Sequence, residues 1–219
     1  MRISAAILMI GTLFPAAALA EDNRVSVGLM AFELNAPGLS GSAEAIGFDL
    51  EYHITDRIEL RGFYANGSAA GASVETATVN LRYLHPVLGP VSAGPRLDYA
   101  WSGTGQADTS EALAGVTIRL GEDEKARVDL SASGLTSDLG EIFIYEIDGR
   151  VYVGRGISLM GGATYGQGGL LGQGGTVLSL GGEYMFGAGL FGSLKVNRAA
   201  PSGLERSLDE IRIGIGLKF

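Results

Sequence analysis

The nine residues Ile211-Arg212-Ile213-Gly214-Ile215-Gly216-Leu217-Lys218-Phe219 decide the fold. Ile211, Ile213, Ile215, Leu217 and Phe219 occupy every second position, and Arg212, Gly214, Gly216 and Lys218 fill the positions between. A period of two marks a β-strand with unlike faces, because successive side chains leave a strand on opposite sides. The same pattern recurs upstream, for example where Ile46, Phe48, Leu50, Tyr52 and Ile54 alternate with Gly47, Asp49, Glu51 and His53.

Working back from this segment, alternating runs of about ten residues fill the chain, the spacing expected of transmembrane strands. They predict strands over 24–34, 43–54, 57–66, 73–85, 91–101, 110–120, 125–135, 142–153, 157–166, 175–186, 189–198 and 208–219. Short connections at 55–56, 86–90, 121–124, 154–156 and 187–188 carry Gly, Pro or Asp, as tight turns require. Longer ones around 35–42, 67–72, 102–109, 136–141, 167–174 and 199–207 are rich in Gly, Ser and Ala. Short and long connections alternate, which gives an all-β, antiparallel, up-and-down barrel of twelve strands; merging one hairpin would make it ten. The first strand is ambiguous, since Met30, Phe32 and Leu34 compete with Val25, Val27 and Leu29 for the outer face. A β-bulge would reconcile the two sets.

The first twenty residues read differently. Arg2 supplies a basic start, Ala5 to Phe14 a short apolar run, and Ala18-Leu19-Ala20 a small-x-small cleavage pattern, so residues 1–20 are expected to be a cleaved secretory signal and 21–219 a single barrel domain. The run is too short for a membrane anchor and is broken by Gly11 and Pro15. Without Arg2, 15 basic residues stand against 24 acidic ones in place of the full chain's net charge of −8, which disfavours nucleic acid as a partner. The chain has no Cys. That excludes both a disulfide framework and a lipid-modified N-terminus, and no cofactor or metal is expected. After residue 20 no run approaches 18 uninterrupted apolar residues, so any membrane crossing must use strands.

A secreted, Cys-free chain that closes on an alternating strand with a final aromatic resembles the outer-membrane β-barrel proteins of Gram-negative bacteria. The resemblance is porin-like, spans residues 21–219, and rests on general features with no family motif. It implies residence in the cell outer membrane among lipids and lipopolysaccharide, and handling by periplasmic chaperones. It also implies a barrel-assembly machinery that reads Phe219.

The outward faces form an apolar band almost free of charge, including Val79, Leu81, Val116, Ile118, Leu178 and Leu180. Aromatics fall at two levels: Tyr52, Tyr83, Tyr184, Phe186 and Phe219 near the short turns, and Tyr64, Tyr99, Trp101, Phe143, Tyr145 and Tyr165 toward the long connections. Two aromatic girdles around an apolar band suit a bilayer. A soluble β-sandwich, the competing fold, would gather its aromatics in one core.

The inward faces carry the candidate functional residues. Asp49, Glu51, His53, Glu59, Arg61, Arg82, Arg96, Asp98, Arg119, Arg127, Asp129, Glu146, Asp148 and Arg150 line one wall. Ser158, Gly162, Ser179, Gly181, Glu183, Lys195, Arg212, Gly214 and Gly216 line the other, which is mostly small. Facing charges could pair and fill the lumen, giving a structural or partner-binding barrel. Alternatively the small wall keeps a narrow, water-filled channel open for small solutes, with mixed charge that favours neither ion sign strongly. Twelve strands about 4.8 Å apart and tilted about 40° enclose a cylinder on the order of 24 Å across, too wide to fill easily. The connections offer no helical plug, which favours the channel.

An enzyme is the third option, because some twelve-stranded barrels hydrolyse lipids. Acyl transfer needs a nucleophile, a base and an orienting group within reach, and lipid hydrolysis would place them near the loop-side rim. Both histidines map to the other end: His53 among inward charges and His85 in a turn before Pro86. No catalytic residue is assigned. The carboxylate pairs Asp49/Glu51 and Glu146/Asp148 have arginines nearby, which favours ion pairing. Asp108, Asp138, Glu141 and Glu205 near the outer rim could bridge cations to lipopolysaccharide, or be solvated loop carboxylates. The Gly161-Gly162 and 166–175 stretches lack the Gly-Lys-Ser/Thr of a phosphate loop.

Overall fold

The terminal alternation is realised as a strand, β13 (Ser207–Lys218), and its two neighbours close the molecule on itself. In the computed structural model the described residues are 23–36, 39–69, 72–104, 108–122, 125–137, 140–154, 156–167, 175–201 and 207–219. The other strands are β1 (Arg24–Ala36), β2 (Leu39–Thr55), β3 (Ile58–Ala69), β4 (Ala72–Tyr83), β5 (His85–Leu88), β6 (Val91–Gly103), β7 (Asp108–Glu122), β8 (Ala126–Ser137), β9 (Gly140–Tyr152), β10 (Ile157–Gln167), β11 (Gly175–Gly187) and β12 (Leu190–Pro201). All pairings are antiparallel and, apart from β4 and β5, chain neighbours pair with each other; β1 pairs with β13 from Arg24↔Lys218 to Asn35↔Ser207. β4 and β5 share one barrel position, both pairing with β6, so the ring has twelve positions and closes on itself, with only the short β5 left unpaired on its outer side.

Three local expectations are corrected. The first strand contains no bulge: its register to β2 and β13 is unbroken, so Val25, Val27 and Leu29 face out and Met30 and Phe32 face in. Gly47 makes room for this, since a Cβ there would lie 2.6 Å from the Met30 sulfur. Buried in that gap, Met30 is only 4% exposed. Secondly, the turn expected at 86–90 is only Gly89-Pro90; His85 to Leu88 continue the ladder on β6, with a register shift between Pro86 and Leu88. Proline is tolerated because this short segment is an edge that need not donate on its outer side. His85 is thus a strand residue, its ring stacked 6.5 Å from Tyr83. Thirdly, most strands run two to four residues further toward the long connections than their apolar pattern, as where β1 and β2 pair as far as Ala36↔Leu39. Backbone hydrogen bonding to a neighbour continues where Gly, Ser and Ala give no alternation signal.

The outward band is as expected: Leu180 is 71%, Leu29 69% and Ile213 63% exposed. Tyr145 and Tyr165 stack at 6.5 Å toward one end, and Tyr184 meets Phe186 edge-on at 5.3 Å near the short turns. One of these turns uses left-handed backbone at Gly187 (φ 116°), Ala188 (φ 50°) and Gly189 (φ 78°). Buried positions are mostly polar: Glu59, Thr117, Arg82 and Asp129 are at most 2% exposed, which puts the packed interior in the lumen.

Candidate functional site

Every second residue of each strand enters the lumen, and barrel closure brings together charges far apart in sequence. Asp129 on β8 gathers three arginines. It takes Arg82 Nη1 at 2.9 Å, Arg119 Nε at 2.7 Å and Nη2 at 2.8 Å, and Arg61 Nη2 at 3.3 Å. Glu59 accepts from Arg119 Nη2 at 2.7 Å and from Arg61, and His53 Nε2 stands 4.0 Å from the same carboxylate. Since all of these groups are largely buried, their mutual pairing replaces the water each has lost.

Glu51 is the link across the barrel. Its oxygens lie 2.5 Å from Arg127, 3.3 Å from Arg61 and 3.5 Å from Arg150. Arg150 is on β9, six positions around a twelve-position ring from β2, so this contact spans the lumen from wall to opposite wall. Arg150 also reaches Glu183 at 3.4 Å, and Glu183 receives Arg24 at 2.5 Å and the Ser158 hydroxyl at 3.1 Å. Arg24 donates to the Tyr152 hydroxyl at 2.5 Å. A second group, on the other flank, joins Arg96 to Asp98 (2.7 Å) and Glu146 (2.5 Å), with Ser133 and Asn80 also donating to Asp98. On β13, Arg212 grips Asp49 with one nitrogen at 2.8 and 2.9 Å and Glu210 at 2.9 Å, its guanidinium 4.4 Å from the Phe63 ring centroid.

Beside this network remains a cavity of about 620 Å³. Its lining includes Asp49, Glu51, Arg61, Arg82, Arg96, Asp98, Arg127, Asp129, Glu146, Asp148, Arg150, Glu183, Lys195 and Arg212. Arg119 is buried among Glu59 and Asp129 and does not line it. The small wall works as space: Asp148 Oδ1 would come within 2.4 Å of a Cβ placed on Gly162.

Arg24 joins this site although its signal, the first inward position of an alternating run, was readable in the sequence. Phe63, Leu113 and Phe191 also line the cavity, on the same strand faces as the charges, so the interior is amphipathic. Both histidines lie near the short turns, where the His53 backbone N–H donates to Asn23 Oδ1 at 2.7 Å. Among the rim carboxylates, Asp138 and Glu205 lie outside the described residues, and no cluster fit to hold a metal ion occurs among those described. No described helix is long and apolar enough to cross a membrane, which says nothing of strands.

A closed, even-stranded, antiparallel barrel with an apolar outer band, aromatic pairs toward both ends and a charged interior is a transmembrane β-barrel of the outer-membrane type. Among solved structures the chain is similar to the KdgM porin, one structure of which holds disordered oligogalacturonate, with a TM-score of 0.58 and 8% identity over 89% of this chain and 99% of that one. It is also similar to an outer-membrane channel from Pseudomonas putida F1 (TM-score 0.59, 14% identity, 94% and 100% covered) and to the NanC porin (TM-score 0.59, 7% identity, 88% and 100%). No protein-family model and no curated protein matches the sequence.

Proposed function

We propose that the protein is a narrow passive pore for small solutes in the outer membrane. The observation that carries this reading is the 620 Å³ lumenal cavity flanked by paired charges, inside a barrel with no plugging domain among the described residues. Structural likeness to porins and channels supports it. The cross-lumen contacts of Glu51 would form the narrowest section, where near-balanced charge polarises the path and rotamer changes of Arg127 and Arg150 set its width. Residues 1–20 would direct export, and Phe219 would be read by the assembly machinery after periplasmic chaperones deliver the chain. Its neighbours in place would be lipid and lipopolysaccharide.

The same Glu51–Arg150 span favours a second reading, a non-conducting barrel that serves as a structural or partner-binding element. A lipid hydrolase is not favoured, because His53 is held near the turns among Glu59 and Asn23, away from the outer leaflet. Single-channel conductance in a planar bilayer bathed in concentrated KCl tests the pore. Discrete, steady steps are expected; a folded but silent barrel would transfer the case to the second reading.

A further inference from the structure

Among the described residues, the eight arginines that face the lumen each hold a carboxylate within 4.0 Å. Lys195 on β12 also lines the cavity, yet it has no ion-pair or hydrogen-bond partner among the described residues. Its surroundings make this unusual. Directly across the ladder it faces Arg212, a like charge, and on its other side it faces Gly181. Like charges directly opposite one another are unfavourable in a sheet unless something negative joins them.

The carboxylates diagonal to Lys195 are already engaged. Glu183 is held by Arg24 and Arg150, and Glu210 by Arg212 and Asn197. What remains is an ammonium on the wall of an open cavity, next to a guanidinium whose own charge is met by Asp49 and Glu210. Ser179, Ser193 and Asn197 supply polar side chains on the same strand faces, and Phe63 lies beneath Arg212. The cavity is within the range of about 300–1,000 Å³ typical of small-molecule sites.

From this arrangement we propose that Lys195 anchors a subsite for the carboxylate of a small hydroxylated organic acid, whose hydroxyls meet Ser179, Ser193 and Asn197, while the neighbouring Arg212 stays held by Asp49 and Glu210. Because the chain carries a net charge of −8, an anionic solute gains nothing from the protein's overall charge, and a local unpaired cation is what would retain it. As a station on a solute path the subsite rests on the pore reading, but binding itself does not require conduction.

The test is isothermal titration of gluconate, with sorbitol as the uncharged control, into the protein purified from membranes and held folded in detergent micelles. Gluconate should bind saturably and sorbitol at least about tenfold more weakly, the equivalent of one charge-assisted contact. Lys195→Gln should lose about the same factor and Lys195→Arg should restore most of it. Absent gluconate binding, or equal binding to wild type and Lys195→Gln, overturns the subsite. Conductance of the same preparations in KCl judges the pore separately: a silent barrel that binds gluconate removes the pore and keeps the subsite, and a conducting barrel that ignores gluconate does the reverse.

Discussion

Asp129 accepts from three arginines at once, and with Arg82 and Glu59 it is nearly inaccessible to water. Removing its charge leaves Arg82, Arg119 and Arg61 short of a partner in a site that cannot hydrate them. Asp129→Asn should therefore destabilise the barrel by about 3–5 kcal/mol, the range for breaking a buried pair from one side. Urea unfolding in phospholipid vesicles measures this, and Glu122→Gln is the comparison. Glu122 pairs with Lys125 at an exposed turn, where an ion pair contributes little. Equal midpoints for the two variants would show that the lumenal cluster is hydrated and not structural.

At the level of the strand, β10 places two adjacent glycines in opposite environments. A Cβ on Gly162 would meet Asp148 Oδ1 at 2.4 Å and the Ile147 carbonyl at 2.8 Å, whereas one on Gly161 meets nothing nearer than 3.6 Å. Gly162→Ala should cost about 1–3 kcal/mol by overpacking, and Gly161→Ala should be close to neutral. A reversed order in unfolding midpoints would mean that the face assignment of β10 is inverted. Alternation in β13 makes a matching statement about lipid. Ile213→Arg should cost about 2–4 kcal/mol if its side chain lies at the bilayer midplane, and less toward an interface; insertion yield into vesicles is the readout. No penalty at all would be incompatible with a lipid-facing Ile213.

For the whole molecule, the consequence lies in the contact that crosses the ring. Glu51→Ala severs the links to Arg61, Arg127 and Arg150 together, so single-channel conductance should rise and selectivity should move toward anions as three cations lose a shared counter-charge. Replacing Arg82 and Arg96 by Ser removes two cations from the cavity lining, and the reversal potential in a KCl gradient should shift toward cation selectivity. An unshifted potential in the double variant would take those two side chains out of the ion path.

Much of this was legible in the residues themselves. Period-two alternation placed twelve barrel positions and both faces, because a lipid surface on one side and a polar lumen on the other impose opposite demands on neighbouring side chains. Turn chemistry located most of the short connections. It failed at Pro86, where the ladder to β6 outweighed a local turn preference, and alternation left the face of the first strand open at Met30, where the choice depended on the space left by Gly47 on another strand. Sequence alone therefore determined the barrel, its orientation of faces and the charged character of its interior. Which charge meets which was decided only by the tertiary structure. Arg24 and Glu183 are 159 residues apart, Arg212 and Asp49 163, and Glu51 finds Arg127 76 residues away. Such pairs exist only once β1 joins β13 and the ring brings opposite walls within a side chain's reach. The same closure left Lys195 without a partner among the described residues, since the acids beside it were already claimed by arginines.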